Sequence, residues 1–521
     1  MTHFRNRPHR LLLLIILIIA FALRFKGVWL GYPLPVHPDE PKLVEAALNI
    51  IRTGDMNPHF FNYPSLNIYL QASIYKTLEL VGQGFSGLPA TDIPIMWFYL
   101  AGRLFNVLLS VLTIGVTYQI GKRLFTAPVG LASAWFITFS FLHVSHSFTI
   151  TVDTTVAFWL SLAALMATLI YQSNARFIYY LLGGVFIGLA ISSKYTAVIG
   201  VAPLLIAHYK HSRSEGALFD RKILGLILAI PAVFLVTTPY AILDYKTFLG
   251  ALKYEATHYS SGHPGAEAAG GVSFMLYGKY LLNSGYGLFP SFFAIGGFLW
   301  MLRKDLWKAS LLAITPLLLL LAVGRYKVFF ARNIVSAIPF LAIFSGFFII
   351  AAYEWLIQTL NVKKSKWLSL TANILLLTVL GGSVLLPTIR TIQYLRLITL
   401  PDTRWVSIEW IEQNLPEGAT IGREHYTPPL EDYTDKFNVI PLGYYAVVRK
   451  PEAIQNLDYM IVSSDDYDRF LNNPEKYPAE QKAYLDFFKT HELIKEFVPD
   501  MKTLAGPKLG IYEINAPPEK R

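Results

Sequence analysis

The dominant pattern along this chain is long apolar runs cut by short charged links. A bilayer's hydrocarbon core takes about 20 mostly apolar residues per helix. Runs of that kind fall at 11–30, 96–121, 129–151, 154–171, 177–192, 196–209, 223–241, 284–302, 309–323, 334–359 and 367–387. They predict about eleven membrane-spanning helices, with 196–209 short enough to be partly re-entrant. Ala20-Phe21-Ala22 could pass for a signal-peptide cleavage site, but the many spans that follow suit a leading signal-anchor better.

The links alternate in charge. Arg5, Arg7 and Arg10 precede the first run, and Lys122-Arg123, Arg176, Lys210/Arg213/Arg221/Lys222, Arg303-Lys304/Lys308 and Lys363-Lys364/Lys366 fill every second link. The other links are longer and hold Asp39, Glu40, Glu45, Asp55, Asp153, Asp244, Glu255 and Glu267. Basic links stay on the cytoplasmic side, so the N-terminus is expected inside and, with an odd helix count, the C-terminus outside. Within the long first outer loop, 31–95, the segments 41–51 and 64–80 read as helices, the second at the membrane interface. From about 388 the charge density rises and apolar runs shorten. There 405–415 reads as a helix ended by Pro416-Glu417-Gly418, 479–489 as another, and 419–423, 459–463 and 510–514 as strands. The expected architecture is a mainly α, polytopic membrane domain over 1–387 followed by a small outer α/β domain over 388–521.

Composition sharpens this picture. Only 15% of the residues are charged, against about 25% in an ordinary soluble protein. The net charge of +10 sits in clusters between apolar runs, which points to membrane topology and away from nucleic acid. Cysteine is absent, which removes disulfide scaffolds, thiolate metal sites and cysteine nucleophiles.

The most informative stretch is Val36-His37-Pro38-Asp39-Glu40-Pro41, two adjacent carboxylates soon after the first run. Shielding from bulk water raises a carboxylate's proton affinity, which suits a base that takes a proton from a hydroxyl. A helix N-terminus, with Asp39 as cap and Glu40 in the first turn, accounts for the pair equally well. Asp153 lies at the outer junction of two spans, where it too could cap a helix. His143 and His146 share a helical face and could bind a metal, although such histidines are more often interface residues. Lys194, in Ile191-Ser192-Ser193-Lys194-Tyr195, needs an anionic partner or a snorkelling path to the surface, and Arg103 has the same two readings. Arg24 and Lys26 read as interface anchors. The outer loop from Gly324 to Asn333 carries Arg325, Lys327 and Arg332 and breaks the basic-inside pattern. It calls for a local anion, either lipid headgroups or a lipid-linked phosphate. There is no GxxxxGK[ST], HExxH or GxSxG motif, and Gly183-Gly184-Val185-Phe186-Ile187-Gly188 reads as helix packing.

Together these residues resemble the membrane-embedded glycosyltransferases of the GT-C type, and within them the protein O-mannosyltransferase and aminoarabinose-transferase group (glycosyltransferase family 39-like). The resemblance covers most of the chain. Its parts, in order, are Ala22-Leu23-Arg24-Phe25, Pro38-Asp39-Glu40, Arg103-Leu104, Gly121-Lys122-Arg123-Leu124-Phe125, Asp153, Gly188-Leu189-Ala190, Ser193-Lys194, Arg325-Tyr326, Arg332 and Pro339-Phe340-Leu341. The tail from Asp402-Thr403-Arg404-Trp405 through Trp410-Ile411, Asn414 and Pro416 looks like the outer domain of bacterial members. The resemblance implies a polyprenyl-phosphate-linked sugar donor, hexosyl or pentosyl, and an acceptor (protein, lipid or glycan) on the outer face of the plasma or inner membrane. It implies Asp39 as the catalytic acid of the first loop, with Glu40 beside it and Asp153 as the acid of the second. It puts Lys194 and Arg103, with Arg325 or Arg332, near the donor phosphate. One departure is visible. Members that modify lipid A carry a lysine before Pro-Pro-Leu, where this chain reads Asn62-Tyr63-Pro64-Ser65-Leu66.

The expected chemistry is a single displacement. Asp39 removes the acceptor's proton, the cations stabilise the leaving phosphate, and Glu40 and Asp153 orient the reactants. No cofactor is required by this reading. A divalent cation, magnesium or manganese, could join Asp39, Glu40 and His146, though hard cations prefer several oxygen ligands. The rival readings are a flippase or transporter of a polyprenyl-linked lipid, which predicts charges near the midplane and paired halves, and a receptor or scaffold working through its tail.

Overall fold

A computed structural model describes residues 7–86, 93–172, 175–215, 217–261, 273–361, 365–432 and 434–515. Arg5, Glu267, Lys363 and Lys364 of the topology argument lie outside the described residues. The chain divides into two compact units, Met1–Val28 with Asp39–Tyr394, and Trp29–Pro38 with Leu395–Arg521.

The first unit is helical. Its elements are α1 (Arg7–Phe25), α2 (Glu40–Thr53), α3 (Leu66–Ser86), α4 (Ile95–Leu124), α5 (Ala127–Thr138), α6 (Phe141–Ser145), α7 (Val152–Tyr171), α8 (Phe177–Ile191) and α9 (Val201–Glu215). After these come α10 (Arg221–Thr237), α11 (Tyr240–Leu243), α12 (Tyr245–Ser261), α13 (Phe274–Tyr280), α14 (Leu288–Lys304), α15 (Leu306–Val323), α16 (Ile338–Thr359) and α17 (Lys366–Leu397). Every apolar run of the sequence overlaps a helix. Among the described residues, however, six are long and apolar enough to cross a membrane: Pro8–Trp29, Ile95–Leu124, Val152–Tyr171, Leu306–Val323, Ala331–Thr359 and Lys366–Leu397. The run 129–151 is not one helix. After α5 the hydroxyls of Ser145 and Ser147 bond to the carbonyls of Leu142 and Val144, and Ser140 Oγ donates to Gly285 O, so local side-chain bonds replace helix continuation.

Packing between helices uses small residues where backbones meet. A Cβ at Gly184 of α8 would stand 2.6 Å from Leu226 O of α10, and one at Gly188 2.7 Å from Val233 Cβ, so the glycine run is a helix contact. Arg24 is not an interface anchor. It is fully buried, and its guanidinium donates to Ser110 Oγ at 2.8 Å, to the carbonyls of Ala20, Ile137 and Thr138, and meets His143 Nδ1 at 3.0 Å. Two of those carbonyls close α5, where an arginine satisfies groups the helix end leaves open.

A second buried arginine ties the start of α2 to the bundle. Arg103 of α4 donates Nε and Nη2 to the two carboxylate oxygens of Glu40, at 2.9 and 2.6 Å. It also donates Nη1 to Val28 O at 3.0 Å. Glu40 Oε1 accepts the Ile150 N–H at 2.8 Å as well, and both side chains are wholly buried. The pair therefore joins α2, α4 and the segment entering α7.

The second unit is an α/β domain. Its sheet comprises β1 (Thr420–Glu424), β2 (Asn438–Gly443), β3 (Tyr459–Ser463), β4 (Glu492–Phe497) and β5 (Leu509–Glu513), in the order β2-β1-β3-β5-β4. The pairs of β1 with β2 and β3 are parallel, and β5 is antiparallel to β3 and β4. α18 (Thr403–Asn414), capped by Asp402, and α19 (Ala446–Arg449), α20 (Pro451–Ile454), α21 (Ser464–Leu471) and α22 (Pro478–Thr490) complete it. The expected strands 419–423, 459–463 and 510–514 are β1, β3 and β5. β2 was concealed by Pro441, which an edge strand tolerates, and β4 by its exposed polar positions. Residues 29–38 belong here because Leu34 packs with Ile408 and Ile411 and the Gly31 N–H donates to Ile398 O at 3.1 Å.

Two acids lie buried in this domain. Glu424, at the end of β1, accepts the Tyr484 hydroxyl at 2.6 Å. Burial pushes its carboxyl up to about 8, and repulsion from Asp466 of α21 adds to that. Burial also pushes Asp466 up to about 7, against the pull of Arg469.

Two outcomes follow from this architecture. Replacing Glu40 by alanine leaves Arg103 charged and unpaired in the interior, which costs about 3–5 kcal/mol; thermal unfolding of the purified protein should show a correspondingly lowered midpoint. In the second unit the folded state retains protons that the unfolded chain releases from about pH 4 upward. Its stability should thus be complete at low pH and fall as pH rises from about 4 through the raised values of these carboxyls. Hydrogen exchange of peptides from β1 and β3 in the whole protein, corrected for intrinsic rates, should show this slope, and Glu424→Gln should flatten it.

Candidate active site

The site is built in the first unit where α2, α7, the segment after α8 and the turn before α16 present charged side chains. Asp39 immediately precedes α2, and Pro41 sets the first helical turn. Its side chain makes no capping bond to that helix. Instead Oδ2 pairs with Arg332 Nη1 at 2.8 Å. Arg332 opens the 3₁₀ segment Ala331–Ala337, and its guanidinium rests 4.5 Å from the centre of the Phe330 ring. Aspartate and arginine are each roughly a quarter exposed, so a ligand can reach the pair.

Asp153 sits in the first turn of α7, also without a capping bond, and is nearly buried. Lys194 Nζ donates to its Oδ1 at 2.8 Å and to Asn333 Oδ1 at 2.9 Å. Asn333 in turn donates to the Tyr277 hydroxyl at 3.3 Å. Adjacent residues of one 3₁₀ turn therefore serve two acids: Arg332 holds Asp39, and Asn333 reaches Asp153 through Lys194. Asp153, Lys194, Arg332 and Asn333 line one small cavity with Thr196 and Ser336. Leu319 of α15 closes that cavity, and its neighbour Leu320 lines a separate apolar cavity of about 250 Å³ between α13, α14, α15 and α16.

The structure thus brings together Asp39, Asp153, Lys194 and Arg332. Glu40 and Arg103 stand apart. They are fully buried and bonded to one another, so neither presents an atom to a substrate, and their roles beside the base and the phosphate give way to a positioning one. Arg325 is exposed, lies outside the cavity lining and makes no ion pair among the described residues. His146 accepts the Thr154 hydroxyl at its carbonyl, at 2.8 Å. No group of three metal-ligating side chains occurs among the described residues. The acids do not form a cation cage, because Asp39, Glu40 and Asp153 each have a basic partner. Sequence reasoning missed Asn333 and Tyr277. Asn333 follows Arg332 directly, but an asparagine carries no charge signal, and Tyr277 comes from α13, which lies outside every apolar run of the sequence. Where the lipid A-modifying proteins have a lysine, Asn62 donates to Glu255 Oε1 of α12 at 2.6 Å.

Residues 99–242, which include Arg103, Asp153 and Lys194, match the family described as dolichyl-phosphate-mannose-protein mannosyltransferase. No curated protein sequence matches the chain. Among solved structures, the Archaeoglobus fulgidus oligosaccharyltransferase AglB, in complex with an inhibitory peptide and a dolichol-phosphate, is 13% identical with a TM-score of 0.59, over 92% of this chain and 72% of its own. ArnT from Cupriavidus metallidurans in the apo state is 17% identical with a TM-score of 0.56, over 97% of this chain and 99% of its own. The same ArnT bound to undecaprenyl phosphate is 13% identical with a TM-score of 0.55. From its first helix to its C-terminal α/β domain, the chain has the fold of the GT-C glycosyltransferases.

Proposed function

We propose that this protein is a membrane glycosyltransferase that moves a sugar from a polyprenyl-phosphate donor to a hydroxyl acceptor at the outer face of the plasma or inner membrane. The observation that carries the reading is a small cavity lined by the Asp153–Lys194 pair and by Arg332, which pairs in turn with Asp39, beside an apolar cavity. Relatives in fold that were solved with dolichol-phosphate and undecaprenyl phosphate support the donor class. A topology of about eleven spans, with the N-terminus cytoplasmic and the tail outside, belongs to the same proposal.

The chemistry follows from the pairs. An entering phosphate competes with the carboxylates for Arg332 and Lys194. Arg332 presents a planar fork that suits phosphate oxygens, and Lys194 a point charge. As Arg332 turns to the phosphate, Asp39 loses its cationic partner and is released to accept a proton. The acceptor oxygen attacks the anomeric carbon, the bond from that carbon to the phosphate oxygen breaks with its electron pair going to the phosphate, and the hydroxyl proton passes to Asp39. One displacement inverts the anomeric centre. Arg332 and Lys194 stabilise the charge that grows on the leaving phosphate, while Asn333 fixes Lys194. The isoprenoid tail takes the apolar cavity lined by Leu281, Ala294, Phe298, Pro316, Leu320 and Phe344. Each carboxylate of the site already has a basic partner, and no step is routed through a metal ion.

The test uses purified wild type beside Asp39→Asn, a panel of polyprenyl-phosphate sugars, a membrane extract as acceptor source, and mass spectrometry of released polyprenyl phosphate. Wild type should release it only with the extract, and the variant should be slower by about 10²–10⁴-fold. Equal turnover by the variant removes Asp39 as base. Movement of the lipid across liposomes without release would instead establish a flippase. Lys194→Met, made with Asp153→Asn so that no acid is left unpaired, should weaken donor binding by about 10–100-fold and leave acceptor KM unchanged. An unchanged donor affinity would take Lys194 out of the phosphate site.

A further inference from the structure

The second unit carries a cluster that the transfer chemistry does not use. In its sheet β1 lies between β2 and β3, all parallel, so the chain leaves β1 toward one side and β3 lies on the other. Ligands of such sheets bind beyond the carboxyl ends of the strands at this switch point. The register breaks there too, with Glu424 opposite Gly443 after an irregularity. Gly443 has φ +84°, and a Cβ on it would meet nothing within 4 Å, so the space over the end of β2 is open.

Aromatic rings surround that opening. His425 and Tyr444 stack with centroids 3.9 Å apart and planes 30° apart, and Tyr426 meets both rings edge-on. Tyr444 is 37% exposed although it sits on a folded strand end. Arg469 donates to the hydroxyls of Tyr445 at 2.6 Å and Tyr426 at 2.9 Å and so fixes both rings. Behind them Asp466 is fully buried, and neither of its oxygens has a partner at hydrogen-bonding geometry, even though the amides of Tyr426 and Tyr445 lie toward it. Amides at imperfect geometry leave this carboxyl room for a further hydrogen-bond partner.

We propose that the His425–Tyr444 stack, with Asp466 behind it, is a binding site for the ring of a neutral sugar. A pyranose has an apolar C–H face that an aromatic platform covers and an edge of hydroxyls that donate to a carboxylate and bond to Tyr426. Burial holds Glu424 and Asp466 toward their neutral forms, and Arg469 is bonded to the Tyr426 and Tyr445 hydroxyls, so the site suits an uncharged ligand. The site lies wholly within the second unit and does not depend on the transferase reading.

The test is calorimetric titration of the whole protein in lipid nanodiscs with methyl mannoside, methyl glucoside, N-acetylglucosamine and a linear mannotriose, with the tripeptide Gly-Phe-Gly as comparison. At least one sugar should saturate, Tyr444→Ala and His425→Ala should each bind it about tenfold more weakly, and Asp39→Asn should bind it as wild type does. Tyr444 is exposed, so its replacement leaves the domain folded, as an unchanged melting midpoint will show. Absence of saturation with every sugar, equal affinity in both ring variants, or saturation by the peptide alone overturns the proposal. Loss of sugar binding in Asp39→Asn would assign that binding to the membrane unit and overturn it as well.

Discussion

The buried contact between Glu40 and Arg103 is the constraint on which the site depends. Asp39 and Glu40 are neighbours at a helix start, and without a tether either could cap the helix or face water. Arg103 takes both oxygens of Glu40, and the Ile150 amide takes one again, so the first turn of α2 has one orientation in the bundle. With Glu40 committed inward, Asp39 is directed to Arg332. A buried pair of this kind is weak evidence for net stability, since desolvation of both charges offsets their attraction. Its value here is geometric: it fixes the direction in which the adjacent carboxylate points.

The second element of the design is the 3₁₀ turn that holds Arg332 and Asn333 side by side. Two acids from separate helices are served by neighbouring side chains, one by ion pairing and one through Lys194. The arrangement is balanced in charge before any ligand arrives. In the proposed transfer, an entering phosphate displaces a carboxylate from its cation, so anion binding and release of the base would be one exchange.

Much of the fold was legible in the sequence. Every apolar run fell on a helix of the first unit, because burial in hydrocarbon demands length and composition that few other structures need. The break after α5 was not legible, since Ser140, Ser145 and Ser147 are compatible with a span until their hydroxyls are seen bonded to local carbonyls. Arg24 misled in the same way: a basic residue ending an apolar run reads as an anchor, and only the surrounding carbonyls and His143 show it inside. Asn333 and Tyr277 escaped notice because uncharged side chains leave no signature of their own cost in a membrane.

The sequence by itself determined the apolar helical unit, the C-terminal α/β domain and the set of charged residues that needed partners, because hydrophobic length and charge density are properties of local composition. The tertiary structure alone decided who pairs with whom. Glu40 and Arg103 are 63 positions apart, and Lys194 and Asn333 are 139 apart. Asp39, Glu40 and Asp153 all looked like candidate acids, and Arg103, Lys194, Arg325 and Arg332 all looked like candidate cations. Folding sent Glu40 and Arg103 to a dry interior, left Arg325 in solvent, gathered Asp153, Lys194 and Arg332 at one cavity and paired Asp39 with Arg332. That sorting depends on distances between helices, which fix how far each charge lies from water and from its opposite, and no linear pattern encodes them.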